Sequence, residues 1–331
     1  MGLASQYLRY IKDIRRYSER TVQIYGSSLR DFVVHVHEGR SLDEIPDDEL
    51  AASMNISEIR SYEAMMLEKG YSAKTVNMHL SGLSSFCRFL MKNERLKSNP
   101  VRSITKPKVE KRVPVFFRKE AMETYFENTS WLFERKNLDS FLEGYDTRNG
   151  REYYKSLLSR LIVSMLYSLG IRRSEIISLR VGDVDFGRKV VKVHGKGDKR
   201  REIPLIVSLC EEILLYLEAV ETIGRGKRSL KEPLLVTYSG RELYPSYVDR
   251  VVKGELAGVK GITGRKSPHV LRHSLATDLL NEGTDINSIK ELLGHSSLAA
   301  TQVYTHGSIA RLKNIYELAH PRAKNGGKHG D

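Results

Sequence analysis

Residues 268–306 read PHVLRHSLATDLLNEGTDINSIKELLGHSSLAATQVYTH, and the fold depends on how this stretch is interpreted. It packs four His, one Arg and one Tyr into a run of short predicted helices. His269 and Arg272 are three apart, so on a helix they share a face. Gly294 ends the next helix, and His295 follows it directly. Tyr304 sits on the helix after that. Taken singly these residues are ordinary. A histidine on a helix is more often structural than catalytic, and one arginine among many is usually a surface charge. Tyr304 is one of 17 tyrosines. Together they hold much of the set needed to cut a phosphodiester without a metal.

That chemistry sets clear requirements. The two nonbridging oxygens of a phosphodiester carry negative charge, and the charge grows in the pentavalent transition state. A catalyst needs donors aimed at it, a nucleophile, and an acid for the leaving oxygen. Upstream, LYSLGIRRSEIISLRVGDVDF breaks a helix at Gly170 and offers Ser174 as the cap of the next. Residues 189–194 alternate as a strand, GKGD turns, and Arg201-EIPL returns, a hairpin with Lys196 at its tip. Arg172 and Arg272 each offer a planar fork of donors to phosphate oxygens. His269 and His295 add smaller donors or acceptors. Lys196 is a candidate general acid for the departing 5′ oxygen, although a lysine in a turn is usually just solvated. Tyr304 is the candidate nucleophile; its ordinary pKa near ~10 calls for nearby cations or a base. Covalent attachment conserves the bond energy, so the strand can be rejoined without ATP. There is no HExxH motif and no acidic cluster suited to two-metal catalysis, so neither a metal nor a cofactor is expected.

The rest of the chain fits a polyanionic partner. Its 331 residues carry a formal net charge of +13, which suggests nucleic acid first and an anionic membrane second. At 40% hydrophobic and 29% charged residues it is globular, and it is long enough for two domains. Cys87 and Cys210 lie far apart in apolar helical patterns; they read as small buried hydrophobes of a reducing compartment. No run reaches the length of a membrane span and the first residues lack a signal-peptide core, so a cytoplasmic location without membrane insertion is expected. Residues 1–100 read as all helix. YSERTV at Tyr17 and YSAKTV at Tyr71 open two of the helices alike, with Ser18 and Ser72 as caps. Tyr7, Leu8, Ile11 and Ile14 form one apolar face before them. Residues 92–119 then hold ten Lys or Arg against two Glu, with three prolines, and read as a linker. Further helices are expected at 119–133, 151–169, 207–220 and 246–259, with a polar loop at 136–150 and a short strand at 234–237. Ser308 caps a last amphipathic helix ahead of a basic tail. The fold class is therefore mainly α with a small β-sheet.

Assembled in order, these segments resemble the tyrosine recombinase (phage-integrase) family. GIRRSEI at Gly170 is similar to the family's first-arginine box, G-L-R-x-S-E-L, which makes Arg172 the catalytic match and puts Arg173 at the variable position. GKGDK at Gly195 resembles the hairpin that carries the catalytic lysine, Lys196. HVLRHSLAT at His269 resembles the H-x-L-R-H box, and LLGHSSLAATQVYTH the final one, giving His295 and Tyr304. The resemblance fills Arg172, Lys196, His269, Arg272, His295 and Tyr304 in the expected order and covers about 113–306. The N-terminal part resembles the family's helical, SAM-like core-binding domain. Residues 304–323, ending in HPRA, are similar to the ending of the XerC/XerD site-specific recombinases. The polar stretch at 136–150 and the tail past Ala323 depart from the simplest of these.

The resemblance implies a two-domain, C-shaped clamp on double-stranded DNA: core-binding domain 1–100, basic linker 101–113, catalytic domain 114–306, and a C-terminal helix and tail over 307–331. It implies that Glu175 orients the first arginine. It also implies a homo- or hetero-tetramer with a second Xer-type recombinase on two DNA sites, with the last helix docking on a neighbouring protomer rather than on its own domain. The activity implied is strand cleavage and rejoining through a 3′-phosphotyrosine, in the resolution of chromosome dimers at a dif-like site by a nucleoid-associated cytoplasmic enzyme working with a septal DNA translocase of FtsK type. An integrase or invertase of a mobile element would use the same chemistry, and the HPRA ending favours the first reading. A catalytically silent DNA-binding protein of the same fold and a relaxing enzyme of type IB topoisomerase kind are the alternatives from other classes.

Overall fold

The computed structural model describes residues 2–110, 115–195, 200–224, 226–294 and 322. The chain divides into two compact units, 1–113 and 114–331, each with its own apolar core.

The first unit is helical. Helices α1 (Leu3–Arg9), α2 (Glu19–Val36), α3 (Asp47–Ala52), α4 (Ile56–Glu68) and α5 (Ala73–Lys92) follow in order. Both expected serine caps are present. The Ser18 hydroxyl accepts the Thr21 N–H, and the Ser72 hydroxyl accepts the Thr75 N–H, which satisfies amide donors that a helix start leaves unpaired. Helices α2 and α5 lie against each other and bury Leu29, Phe32 and Val33 against Val76, Leu80, Leu83 and Phe86. Ile14, expected on the buried face with Tyr7 and Ile11, is instead exposed. A π-helical turn over Tyr10–Ile14 widens the repeat and swings it out of the stripe. The basic stretch after α5 begins bound to this unit: Val101 and Ile104 are buried in its core, and the Asn77 amide donates to the Pro107 carbonyl at 2.9 Å.

The second unit contains α6 (Lys119–Asn128), α7 (Arg135–Glu143), α8 (Arg148–Leu169) and α9 (Arg173–Ser178), then a three-stranded antiparallel sheet, then α10 (Val207–Gly224), α11 (Pro245–Glu255), α12 (Pro268–Asn281) and α13 (Ile286–Leu293). Residues 136–150 are therefore largely helix and not the polar loop expected. Leu138 and Phe141, three apart, are enough to pin α7 to the core. The middle helix α8 is buried on every side from Leu157 to Leu169 and is packed by α10, α11 and α12. A helix apolar all round is the sequence signature of such a central position. The strands are β1 (Val184–Asp185), β2 (Val190–His194) and β3 (Arg200–Pro204), in the order β1-β2-β3. Val191 pairs with Ile203 and Val193 with Arg201, and all four are buried. The tip, residues 196–199, lies outside the described residues. Leu234–Thr237 forms a single isolated bridge, Val236 with Glu242, rather than the short strand expected.

One charged cluster sits inside this unit. Glu212 on α10 accepts from Arg160 of α8 at 3.3 Å and from Arg322 at 2.5 Å. Both guanidiniums lie over the Phe126 ring, and Arg322 also donates to Ser164 and Ser168. Arg322 belongs to the HPRA run, so this part of the tail is buried in the domain of its own chain. Cys87 and Cys210 are buried free thiols, as expected. Among the described residues no helix is long and apolar enough to cross a membrane.

Candidate active site

Helix α8 ends at Gly170, whose φ of +58° is the left-handed conformation that glycine adopts without strain. A β-carbon there would also stand 2.6 Å from Leu293 Cδ2, so that side chain would have to shift. The turn delivers Arg172 to the start of α9. The cap expected from Ser174 is supplied instead by Glu175, whose carboxylate accepts the Arg172 backbone N–H at 2.8 Å. The same carboxylate accepts Arg172 Nη1 at 2.7 Å. Glu175 thus holds Arg172 by backbone and side chain together.

The other end of the site is the C-terminus of α13. Its last carbonyls have no partner within the helix and form the negative end of the helix dipole. Three arginines from three elements cap three consecutive carbonyls. Arg201 Nε of β3 donates to Leu292 O at 2.9 Å. Arg272 Nη2 of α12 donates to Leu293 O at 2.5 Å. Arg172 Nη2 donates to Gly294 O at 2.9 Å. Arg272 also donates through Nη1 to Gly170 O at 2.6 Å, which joins the two glycine turns through one guanidinium. Arg201 completes the set with a two-pronged pair to Glu175, at 3.1 and 2.8 Å.

The electrostatics follow from this crowding. Burial alone would raise the Glu175 carboxyl, but the Arg201 and Arg172 guanidiniums and the Arg172 N–H hold it down at about 2. Burial, with Arg172 and Arg201 close by, lowers Arg272 to about 10. Arg272 is only 6% exposed, whereas the Arg172 side chain is 41% exposed. His269 is exposed on the first turn of α12. Arg172, His269 and Arg272 line one open cleft of about 620 Å³, together with Arg173, Lys253, Arg265 and Lys266. Among the described residues Asp249, ion-paired to Arg173, is its one acidic lining residue. Such a wall suits an anionic ligand, and the two forks suit a phosphate.

Three of the six residues singled out in the sequence are thus brought to one cleft: Arg172, His269 and Arg272. Lys196, His295 and Tyr304 lie outside the described residues, although the described chain reaches Gly294, the residue before His295. Arg201 was missed. Its one signal is strand alternation, which places it on the face of Ile203 and so makes it a charged residue pointing into the core. Among the described residues no three His, Cys, Asp or Glu side chains converge as a metal site requires.

The phage integrase family model matches residues 133–311, and the phage integrase N-terminal SAM-like domain matches 4–94. The chain is 33% identical to tyrosine recombinase XerC of Chlorobaculum parvum, covering 96% of this chain and 94% of that protein. It is 34% identical to tyrosine recombinase XerC of Bacillus licheniformis, covering 97% and 96%. Among solved structures it is similar in fold to the XerH site-specific recombinase bound to a palindromic difH substrate. That match has a TM-score of 0.62 and 19% identity, over 95% of this chain and 84% of that one. The lambda integrase (residues 75–356) bound to DNA gives a TM-score of 0.56 at 19% identity, over 96% and 97%.

Proposed function

Since this chain belongs to the phage integrase family and is a site-specific tyrosine recombinase, we propose that it cuts and rejoins double-stranded DNA through a 3′-phosphotyrosine and resolves chromosome dimers at a dif-like site. The observation that carries the chemistry is the convergence of Arg172, Arg272 and His269 on one basic cleft, with both forks fixed by backbone carbonyls of the two glycine turns. Charge builds on the nonbridging oxygens as the nucleophile attacks, and donors already fixed in place stabilise it without reorganising. In this reading Arg172 and Arg272 hold those oxygens and His269 and His295 add hydrogen bonds. Tyr304 attacks the phosphorus, and Lys196 protonates the leaving 5′ oxygen. No metal or ATP takes part.

The dimer-resolution role is supported by the likeness to XerC proteins over nearly the whole chain. In that role both units contact DNA, with the basic segment 101–113 between them in sequence. Four protomers, some of them a second Xer-type recombinase, act on two sites, under a septal translocase of FtsK type, at the nucleoid in the cytoplasm. In the same role the helix expected at 308–319 docks on a neighbouring protomer, while Arg322, beyond it, is bound to Glu212 of its own chain.

The test is a duplex nicked next to the cleavage point, which traps the covalent complex. Wild-type protein should accumulate a 3′-phosphotyrosine adduct and Tyr304→Phe should accumulate none; equal behaviour of the two would remove Tyr304 from its role. Mapping the adducts on the host chromosome separates the readings. One chromosomal locus supports dimer resolution, whereas the ends of a mobile element support an integrase.

A further inference from the structure

We propose that Arg201 is a positioning residue of strand cleavage: it takes the two-pronged seat on Glu175 and so keeps the Arg172 guanidinium turned to the scissile phosphate. The argument begins with a competition. A carboxylate beside an arginine favours a parallel, two-pronged pair, because this gives two charge-assisted hydrogen bonds at once. If Glu175 faced Arg172 alone, that pairing would draw both Arg172 Nη atoms onto the carboxylate and fold the fork back into the protein. Instead Arg201 presents Nη1 and Nη2 to the two Glu175 oxygens at 3.1 and 2.8 Å. Arg172 is left with one side-chain bond to Glu175, through Nη1 at 2.7 Å, while its Nη2 goes to Gly294 O. The rest of its donor edge remains for a ligand in the cleft, where its side chain is 41% exposed.

A second observation points the same way. Arg201 Nε is spent on Leu292 O, so one buried guanidinium ties β3, the start of α9 and the end of α13 together. These are three of the segments on which the catalytic set is strung. Lys196 lies five residues before Arg201 in sequence, Arg172 immediately precedes α9, and His295 follows Gly294. The left-handed turn at Gly294, φ +65°, makes room for this arrangement, since a β-carbon there would meet Arg201 Nη1 at 3.1 Å. Arg201 is 6% exposed and lines no part of the cleft, so it acts through Arg172 and not on DNA.

The proposal rests on the recombinase reading. Its test uses the full chain on two nicked substrates that differ at one atom. One carries an ordinary scissile phosphodiester. In the other a methyl group replaces a nonbridging oxygen, so the phosphorus centre is neutral and has less need of the Arg172 fork. Adduct formation is followed in single turnover with DNA saturated by protein, and DNA affinity is measured separately. Arg201→Ala should slow cleavage of the phosphodiester on the order of 100-fold, the cost of a misplaced catalytic group, with affinity within about threefold of wild type. On the neutral substrate that deficit should shrink at least about tenfold. Arg201→Lys keeps the charge but lacks the fork, so it should show the same pattern in milder form and carries the test should the alanine variant not fold. Equal deficits on both substrates overturn the proposal, because a general loss of structure slows both alike; so does an undiminished rate in both variants. Wild-type protein that forms no adduct overturns the recombinase reading, and this proposal with it.

Discussion

Glu175 is a carboxylate that serves two arginines at once, and its environment makes its charge a source of stability. Its carboxyl is held at about 2, well below the ordinary 4.5. A depressed acid contributes stability that is fully present above the unfolded value and is lost as pH falls through the folded one. The window is therefore pH 4.5 down to about 2, and the contribution is on the order of 3 kcal/mol. Glu175→Gln should lower the urea midpoint of the second unit markedly at pH 7, and the deficit should narrow at pH 3. A deficit of the same size at both pH values would show that packing, not charge, is responsible. At this scale the sequence was informative where a residue sits in a recognisable box. Arg172, His269 and Arg272 were picked out by the resemblance of GIRRSEI and HVLRH to a known family, and the structure brings them to one cleft. Residues that act on other protein groups were less visible. Arg201 meets a carbonyl 91 positions away, and no local pattern encodes that meeting. The cap of α9 was misassigned for a related reason. Ser174 looked like a cap, but Glu175 reaches back to the Arg172 N–H and also grips its guanidinium.

Helices α2 and α5 begin with the same device, and each beginning is a separable contribution. Removing a serine cap leaves amide donors at the helix start without a partner, at a cost of about 1 kcal/mol. Ser18→Ala and Ser72→Ala should each lower the stability of the first unit by about that amount. The double variant should lose roughly the sum, since the two caps share no partner. Urea unfolding followed by far-ultraviolet circular dichroism reads this directly, and a cost near zero for both would remove the caps from the account. Elements of this kind were legible because their cause is local: a capping side chain, a glycine stop, an apolar stripe. Two elements were not. In α7 the polar residues outnumber Leu138 and Phe141, and only the core they meet makes the segment helical. The π-turn at Tyr10–Ile14 leaves the apolar spacing of a regular helix in the sequence while moving Ile14 into solvent.

For the whole molecule, the division into two units and the mainly helical class followed from length, charge and periodicity, because these reflect how much surface each core can bury. The buried Arg160–Glu212–Arg322 cluster did not, since charged residues are ordinarily assigned to the surface. A net charge of +13 already burdens the folded state with self-repulsion. The Arg172, Arg201 and Arg272 guanidiniums gathered beside Glu175 concentrate that strain at a single point, relieved only in part by the carbonyls at the end of α13. Any tetrahedral oxyanion that settles in the cleft against Arg172 and Arg272 relieves more of it, and a ligand that prefers the folded state raises its melting temperature. At matched ionic strength the protein should therefore melt a few degrees higher in sulfate than in chloride, by differential scanning calorimetry. Arg172→Ala should erase most of that difference; a sulfate effect that survives the substitution would place the relief elsewhere on the surface. The buffer thus becomes part of the fold, and the form readiest to cleave is the one least at ease without its substrate.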